Sequence, residues 1–416
     1  MALAAPDRPA PGPASTEPTP ADVIARAEAI APTLVERQAE TEQRTYYAQD
    51  THEEFARAGF YRLLVPRRFG GHEFGIDTFL RVAKTLARGC PSTGWMFCLG
   101  ASHSLTVATL FDESVQAELF ADPDFICPAT IVPGGSAERT ADGDWILDGT
   151  WSYSSGVPYA SHFLGHAIVA DEGAEEPRPL LFVAPRSEWT RLDDWGRQLG
   201  LRGSGSHSVR FERGRVPGPF TLDTHLSNVT PEDDLPGARL HEHPQYGGAP
   251  LSFGFLEGAS LAVGMAQNAL DAYEDLMRTR TTFLPPIVGR HTSPDYQAWY
   301  GEAAGRIAAA EAATDGAVQQ WLAAGAQGPE GFTREVDLRI TAICREVVEL
   351  CWHALEDILF PTAGSSSVRH GERIERVWRD MSMLRSHSGY GVFLETEAKR
   401  ALARARFEGR SRFAPL

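Results

Sequence analysis

The sequence predicts an α+β protein that is mostly helical, with an N-terminal helical domain, a central antiparallel β domain and a C-terminal four-helix bundle. Three features of the 416 residues support this fold class. Apolar residues recur every three or four positions in the first third, short β-rich runs alternate with turn-forming residues in the middle, and long amphipathic stretches fill the rest. A chain of this length has room for roughly two or three domains.

Helical periodicity begins after a proline-rich leader. Residues 1–20 combine small residues with proline and can bury little apolar surface, so we expect them to be disordered. The N-terminal helical domain is assigned to residues 21–123, where Pro32 is expected to interrupt the first helix. Further helices are predicted over residues 77–88 and 92–110, whose apolar residues recur at helical spacing.

The character of the sequence changes twice more. Residues 124–222 contain short runs rich in β-branched and aromatic residues, separated by turn-forming segments, which predicts a compact antiparallel domain. Residues 223–249 are rich in Asp, Pro, Gly and His without a period and are predicted to form a loop or lid. Residues 250–416 are assigned to the bundle. Its four predicted helices each have one apolar face and lie near residues 255–277, 301–324, 336–358 and 377–392.

Composition excludes several classes of function. Lys and Arg number 39 against 55 Asp and Glu, a formal net charge of −16, so nucleic acid is not expected as a partner. Because no apolar run reaches the roughly 18 residues that cross a bilayer, we expect no membrane insertion. The five cysteines are scattered without a C-x-x-C pair, which favours a reducing compartment and a cytoplasmic location.

Motifs for several common cofactors are missing as well. The sequence contains no P-loop, and no G-x-G-x-x-G follows a strand at the start of a helix. His52-Glu53-Glu54 does not continue into H-E-x-x-H, and His241-Glu242-His243 is a histidine pair in a polar segment, so no metal site is predicted. Neither nucleotide hydrolysis nor a Rossmann-type cofactor site is therefore expected.

Three separated motifs resemble those of the two-component flavin-dependent monooxygenases, also called group D, of the acyl-CoA dehydrogenase superfamily. Residues 145–156, WILDGTWSYSSG, are similar to the W-x-L-x-G-x-W-x-[FY]-x-S-G stretch of that family. Residues 200–206, GLRGSGS, look like its second β-domain turn, and WRD at 378–380 followed by His387 is similar to its W-R-D-x6-H signature. The resemblance implies the order of helices, β domain and bundle found in the acyl-CoA dehydrogenase fold.

The resemblance also implies an activity. The chain would be an oxygenase component that takes reduced FMN or FAD from a separate flavin reductase, with O2 as co-substrate. The bound flavin would form a C4a-hydroperoxide and hydroxylate a phenolic or polycyclic aromatic substrate. Since the family is typically tetrameric, a homotetramer is expected.

Discrimination from true acyl-CoA dehydrogenases rests on the catalytic base. Those enzymes use a carboxylate, often in a Y-E-G-T-type segment near the C-terminus, and this chain has no such segment. The equivalent stretch, RSHSGY at 385–390, offers the imidazole of His387. An imidazole, with a reference pKa of about 6.5, suits a phenol better than an unactivated C–H bond.

Candidate site residues follow from the resemblance and from the needs of this chemistry. A reduced flavin needs a dry site and an acceptor for its N5–H. Ser154 and Ser155 precede a glycine, and the resemblance favours Ser155 as this acceptor, although an ordinary turn has the same composition. His387 is predicted to activate or orient the substrate, with His103 as a second substrate-facing histidine and Trp95 as a pocket wall. A lone helical histidine is more often structural.

Arginines are the predicted ligands of the flavin phosphate. Arg280, in Arg280-x-x-Phe283, resembles an arginine that reaches a flavin phosphate, commonly in a neighbouring subunit, although a cation at the end of a helix also complements the helix dipole. Arg202 and Arg379 are weaker candidates. Arg379 with Asp380 is alternatively an ion pair that only fixes its helix.

Two other functions remain open at the level of sequence. The first keeps the fold and the flavin but acts as an acyl-CoA dehydrogenase or oxidises nitrogen or sulfur. The second is a non-catalytic helical scaffold, against which the intact serine turn and the W-R-D-x6-H segment argue.

Overall fold

The computed structural model describes residues 17–170, 176–231 and 233–409. Helices come first, a sheet follows, and helices return, which confirms the predicted fold class. Residues 1–16 of the predicted disordered leader lie outside the described part of the chain, and the first helix begins at Pro20. The residue limits of the three domains stay a prediction.

The N-terminal part of the described chain contains six α-helices. In chain order they are α1 (Pro20–Arg44), α2 (Gln49–Ala58), α3 (Ile76–Gly89), α4 (Pro91–Ala101), α5 (His103–Leu110) and α6 (Glu113–Leu119). The predicted interruption at Pro32 is wrong, since α1 runs through it. The missing N–H frees the carbonyl of Glu28, and Glu28 lies on the solvent side, where water can bond that carbonyl.

A sheet of seven described strands forms the centre. The strands are β1 (Gly135–Arg139), β2 (Trp145–Trp151), β3 (His162–Val169), β4 (Arg178–Pro185), β5 (Thr190–Arg191), β6 (Val209–Val216) and β7 (Thr221–Leu222). Their order is β5-β6-β2-β1-β3-β4-β7. The expected antiparallel pairing needs one correction, because β1 and β3 are parallel at Ser136 and Ile168. Strands β1 and β2 form an antiparallel hairpin. After β2 the chain crosses to the opposite edge of β1, where β3 pairs with β1 in the same direction.

The segment predicted as a loop or lid contains short helical turns. Helix α7 spans Pro236–Leu240, and a 3-10 turn spans Pro244–Gly247. Tyr246 is fully buried, and its hydroxyl donates a hydrogen bond to Leu64 O at 3.1 Å. The segment is therefore fastened to the N-terminal helices, and its action as a lid stays a prediction.

Helices complete the chain. They are α8 (Pro250–Thr279), α9 (Pro294–Ala326), α10 (Arg334–Ala354), α11 (Phe360–Ala363), α12 (Arg373–Ser386) and α13 (Glu397–Glu408). Helix α8 is central, since it packs against α3 as well as against α9, α10 and α12. Helix α12 ends one residue before His387, and a π-helical turn, Ser388–Phe393, follows. In the described ranges no helix is both long and apolar enough to cross a bilayer.

Candidate active site

Trp95 connects the helical and β parts of the protein. It lies on α4 with 5% of its surface exposed, and its indole Nε1 donates a hydrogen bond to Ser155 Oγ at 2.9 Å. The ring also meets the imidazole of His387 edge-on, with ring centroids 6.1 Å apart. One tryptophan thus brings together two predicted catalytic residues that are far apart in sequence.

A glycine allows the serine turn to lie directly against α4. Gly156 has a φ of +100°, and a Cβ at this position would lie 3.0 Å from Gly100 Cα and 3.1 Å from Met96 O. Both the backbone conformation and the space therefore require glycine. This close approach places Ser155, the preceding residue, within reach of the Trp95 indole.

A chain of three hydroxyls fixes how Ser155 uses its proton. Ser204 Oγ donates to Leu201 O at 2.7 Å, because a carbonyl can only accept. Ser206 must then donate to Ser204 Oγ (2.6 Å), and Ser155 must donate to Ser206 Oγ (2.7 Å). Of its two lone pairs, Ser155 Oγ uses one to accept from Trp95 and keeps the other free. Ser155 therefore offers an acceptor to a neighbouring donor.

Ser154 has a different hydrogen-bond partner, and its role at the cofactor stays a prediction. Its side chain is fully buried, and Oγ donates to Trp151 O at 3.2 Å, which closes the turn after β2. The two serines that are adjacent in sequence thus differ in their partners, since only Ser155 bonds to Trp95 and Ser206.

His387 follows the last residue of α12, where the helix gives way to the π-helical turn. The Gly389 N–H donates to His387 Nδ1 at 3.1 Å, so the neutral ring carries its proton on Nε2. Desolvation by the surrounding protein lowers the pKa of His387. At neutral pH His387 therefore offers an N–H donor to a bound molecule.

His103 is held by main-chain groups on two sides. Its Nδ1 lies 3.0 Å from Leu99 O, and the main chain of Cys127 is a second hydrogen-bonding neighbour of the ring. Burial lowers the pKa of His103 to about 4, so the ring is neutral at pH 7. His103 follows Trp95 by eight residues, about 12 Å along a helix axis. In the described part of the chain it makes no hydrogen bond or ring contact with Trp95, Ser155 or His387.

Two of the three predicted phosphate ligands are engaged with carboxylates. Arg379 is buried and donates to Glu42 Oε1 at 2.8 Å and to Glu375 Oε1 at 2.6 Å, and Arg202 also donates to Glu42. Burial alone would lower the pKa of Arg379, but the hydrogen bonds to Glu42 and Glu375 outweigh it and raise that pKa. Both guanidiniums join α1 to other parts of the chain.

The suggested pair between Arg379 and Asp380 is not formed, because neighbouring residues on a helix point in different directions. Asp380 is buried and accepts the Leu201 N–H at 2.5 Å. Next to that bond, a Cβ at Gly200 would lie 2.0 Å from Arg379 O. The GLRGSGS turn therefore docks on the W-R-D helix, and the same turn supplies Ser204 and Ser206 to Ser155. The three sequence motifs meet at one place.

Arg280 lies apart from this cluster. It follows α8 and is exposed, and no hydrogen bond or ion pair joins its guanidinium to another described residue. The loop after it exposes three apolar side chains, Phe283 (83%), Leu284 (61%) and Ile287 (59%). Within one chain, the structure does not bring Arg280 to Ser155.

Sequence reasoning missed Ser204, Ser206 and Glu257. The two serines could be found only as part of a turn motif, because their role depends on a contact between distant segments. Glu257 did carry a signal, since it is a carboxylate within the apolar run FGFLEGASLAVGMA of α8. In the structure it is buried, and burial raises its pKa to about 8.

Comparison with known proteins agrees with this architecture. Residues 23–115 match the family model of the acyl-CoA dehydrogenase N-terminal domain, and residues 257–391 match that of the C-terminal domain. The chain is 30% identical over 376 residues to the oxygenase subunit HsaA of a flavin-dependent monooxygenase from Rhodococcus jostii, covering 87% of this chain and 93% of that one. This chain belongs to the oxygenase components of the flavin-dependent monooxygenases.

Other members of this monooxygenase family support the assignment. The crystal structure of the HsaA monooxygenase from Mycobacterium tuberculosis superposes with a TM-score of 0.82 and 25% identity, covering 95% of this chain and 99% of that one. The oxygenase component of an FADH(2)-dependent resorcinol hydroxylase from Rhizobium sp. is 30% identical over 226 residues, which cover 54% of each chain. The chain is thus a flavin-dependent monooxygenase with the acyl-CoA dehydrogenase fold.

The residues of this monooxygenase fit a reduced flavin. The relevant test is whether the site offers a hydrogen-bond acceptor, because a reduced flavin presents an N–H that needs a neutral one. Ser155 Oγ keeps such a lone pair, while it also accepts from Trp95 Nε1 and donates to Ser206 Oγ. Among the described residues, no group of three or more His, Cys, Asp or Glu side chains could hold a metal ion.

Proposed function

We propose that this monooxygenase hydroxylates a phenolic or polycyclic aromatic substrate, using reduced flavin delivered by a separate reductase. The observation that carries the proposal is the free lone pair on Ser155 Oγ, which is hydrogen-bonded to Trp95, the residue whose ring also contacts His387. The names of the resorcinol hydroxylase and HsaA relatives support an aromatic substrate and a multi-component enzyme. When bound, the reduced flavin supplies the electrons that activate O2, of which one atom enters the substrate and the other leaves as water.

The roles of the chain's own residues follow from their hydrogen bonds. Ser155 accepts the flavin N5–H through its remaining lone pair, and Trp95 keeps water from that side. His387 donates its Nε2–H to the phenolic oxygen of the substrate, orienting the ring and stabilising negative charge on that oxygen. His103, which is neutral at pH 7, is proposed as a second substrate-facing histidine.

Arg280 is the proposed phosphate ligand. Arg202 and Arg379 are committed to Glu42, whereas the guanidinium of Arg280 has no partner in the described part of the chain. We propose that it reaches the flavin of a neighbouring subunit in a homotetramer, which would cover the apolar loop around Phe283. FMN and FAD are both candidates, and the cytoplasmic location stays a prediction.

The proposal is tested by following oxygen. The full chain is mixed with a generic flavin reductase, NADH, O2 and a panel of phenols and polycyclic aromatics, first with FMN and then with FAD. Mass spectrometry should find a product that has gained one oxygen atom, labelled when 18O2 is used. Light scattering should give four times the chain mass of 45.4 kDa. Reduction of the bound oxidised flavin by an acyl thioester, without hydroxylated product, would instead establish a dehydrogenase.

A further inference from the structure

A buried carboxyl group on α8 has no counter-ion among the residues that the structure describes. Glu257 is 4% exposed, and its Oε1 is the one carboxylate oxygen among the buried, unpartnered side-chain atoms of the described residues. Ser102 is fully buried, and its hydroxyl is a hydrogen-bonding neighbour of that carboxyl. No third described side chain bonds Ser102 Oγ or Glu257 Oε1. One hydroxyl cannot satisfy both oxygens of a carboxyl group. Leaving the remaining buried oxygen unsatisfied costs roughly 1–3 kcal/mol, which indicates a missing hydrogen-bond partner.

The position of this pair relates it to the active site. Ser102 directly precedes His103, and Glu257 is close enough to Tyr390 to influence its titration. The Tyr390 ring in turn lies 6.1 Å from the imidazole of His387, centroid to centroid. Glu257 and Ser102 therefore lie near the contact between α4 and α8. Ser102 adjoins His103 in sequence, and Tyr390 connects Glu257 with His387.

A gap in α8 makes the carboxyl accessible to a ligand. Gly254 is exposed, and a Cβ at this position would lie 3.8 Å from Glu257 Oε2. Since Gly254 has no side chain to cover it, a molecule lying over this part of α8 could reach Oε2. The main chain stays helical here, so the opening needs no rearrangement.

The charge state of the Glu257 carboxyl limits the kinds of group that can bind to it. Burial raises the pKa of Glu257 to about 8, with the Ser102 hydroxyl opposing the shift, so the carboxyl is neutral at pH 7. A neutral carboxyl and a hydroxyl each both donate and accept hydrogen bonds. Together they match a neutral hydroxyl or N–H group and would reject an anionic substituent, whose charge would be buried without a partner.

We infer that Glu257 and Ser102 form a second polar contact for the substrate and select aromatic substrates with a neutral hydroxyl or N–H group remote from the position held by His387. This inference rests on the proposed function, because it places the aromatic substrate at His387. It adds a specificity site to that function.

Matched probes test the inference without turnover. Resorcinol carries two phenolic O–H groups, 3-methoxyphenol replaces one by an ether, and 3-hydroxybenzoate replaces it by a carboxylate. Dissociation constants are measured by calorimetry on the full chain, anaerobically, with reduced flavin bound. We expect resorcinol to bind about tenfold more tightly than either analogue. Equal affinities for the three probes in the wild type overturn the inference.

Variants assign the selectivity to these residues. Glu257→Leu and Ser102→Ala should each bind the three probes with similar affinity, whereas Glu257→Gln, which keeps a donor and an acceptor, should keep most of the preference. Ser104→Ala is the control, because Ser104 is buried two residues away and its hydroxyl is bonded to Ala101 O. Unchanged selectivity in a folded Glu257→Leu chain refutes the assignment.

An infrared measurement covers the case in which Glu257→Leu does not fold. The protonated carboxyl of Glu257 should give a carbonyl band that is absent in the isosteric Glu257→Gln variant and shifts when resorcinol binds. A band unaffected by resorcinol contradicts the inference. Failure of the proposed function differs from failure of this inference. It would show as absence of reduced-flavin binding and of oxygen insertion with every probe.

Discussion

The indole N–H of Trp95 donates to Ser155 Oγ at 2.9 Å, and this hydrogen bond determines which lone pair of the serine stays free. The hydroxyl chain through Ser206 and Ser204 takes the Ser155 proton in the opposite direction. Ser155 is therefore an acceptor because of the hydrogen bonds around it, and not because of its sequence position alone.

Replacing Ser155 by alanine should uncouple oxygen use from hydroxylation. Loss of one hydrogen bond to the flavin N5–H, worth about 1.5 kcal/mol, corresponds to roughly tenfold more H2O2 per hydroxylated product. The ratio of H2O2 to product, measured with the best substrate of the panel, checks this. Ser152→Ala, an exposed position on the same turn, is the control. The same ratio in Ser155→Ala and wild type would remove the acceptor role.

Variants of His387 distinguish a hydrogen-bond donor from a base. His387→Ala should still consume O2 but form at least tenfold less product, because the substrate oxygen loses its partner. His387→Gln should recover part of the product, since its amide N–H can donate where Nε2–H does. Product yields per O2 consumed decide the matter. If glutamine is no better than alanine, His387 acts as a base.

Arg280→Ala should weaken the binding of reduced flavin by about tenfold to a hundredfold, the loss expected for a charge-assisted hydrogen bond to phosphate. Anaerobic titration with reduced FMN and reduced FAD measures this. Arg278→Ala is the matched control, because Arg278 also lies at the end of α8 but pairs with Glu274 at 3.1 Å. An equal loss in both variants would mean that only general positive charge matters.

Arg379→Leu should lower the free energy of unfolding by about 3 kcal/mol, because Glu42 and Glu375 would lose a buried partner. Urea unfolding followed by circular dichroism provides the measurement, with exposed Arg280→Ala as the comparison. A variant of unchanged stability that binds reduced flavin poorly would restore Arg379 as a phosphate ligand.

His166 should make the protein sensitive to acid. Its ring is fully buried, stacked on His225, and accepts the Leu226 N–H at Nε2. Burial, then the neighbouring His225, lowers the pKa of His166 from 6.5 to about 3. Between these values only the unfolded chain binds the proton, so stability falls as pH drops, by up to about 1.4 kcal/mol per pH unit.

Urea unfolding at a series of pH values between 6.5 and 3 tests this dependence. The slope of unfolding free energy against pH should decrease in His166→Gln. It should stay as in the wild type in His353→Gln, whose side chain is 48% exposed on α10. Identical slopes in all three chains would exclude His166 as the source.

Local sequence was sufficient for the order of helices, sheet and helices, because hydrophobic periodicity records which face each segment buries. It also indicated the family, since WILDGTWSYSSG, GLRGSGS and W-R-D-x6-H have constrained spacing. The break expected at Pro32 failed because one missing N–H on the solvent side costs less than the packing of α1 provides.

Only the tertiary structure decided what the candidate residues can do. Whether a serine donates or accepts depends on partners 51 residues away, as for Ser155 and Ser206, and whether an arginine is free depends on a carboxylate such as Glu42 on another helix. The tautomer of His387 likewise follows from the main-chain group that its Nδ1 meets. Hydrogen bonds and burial are properties of neighbours in space, which a single sequence specifies only through the fold.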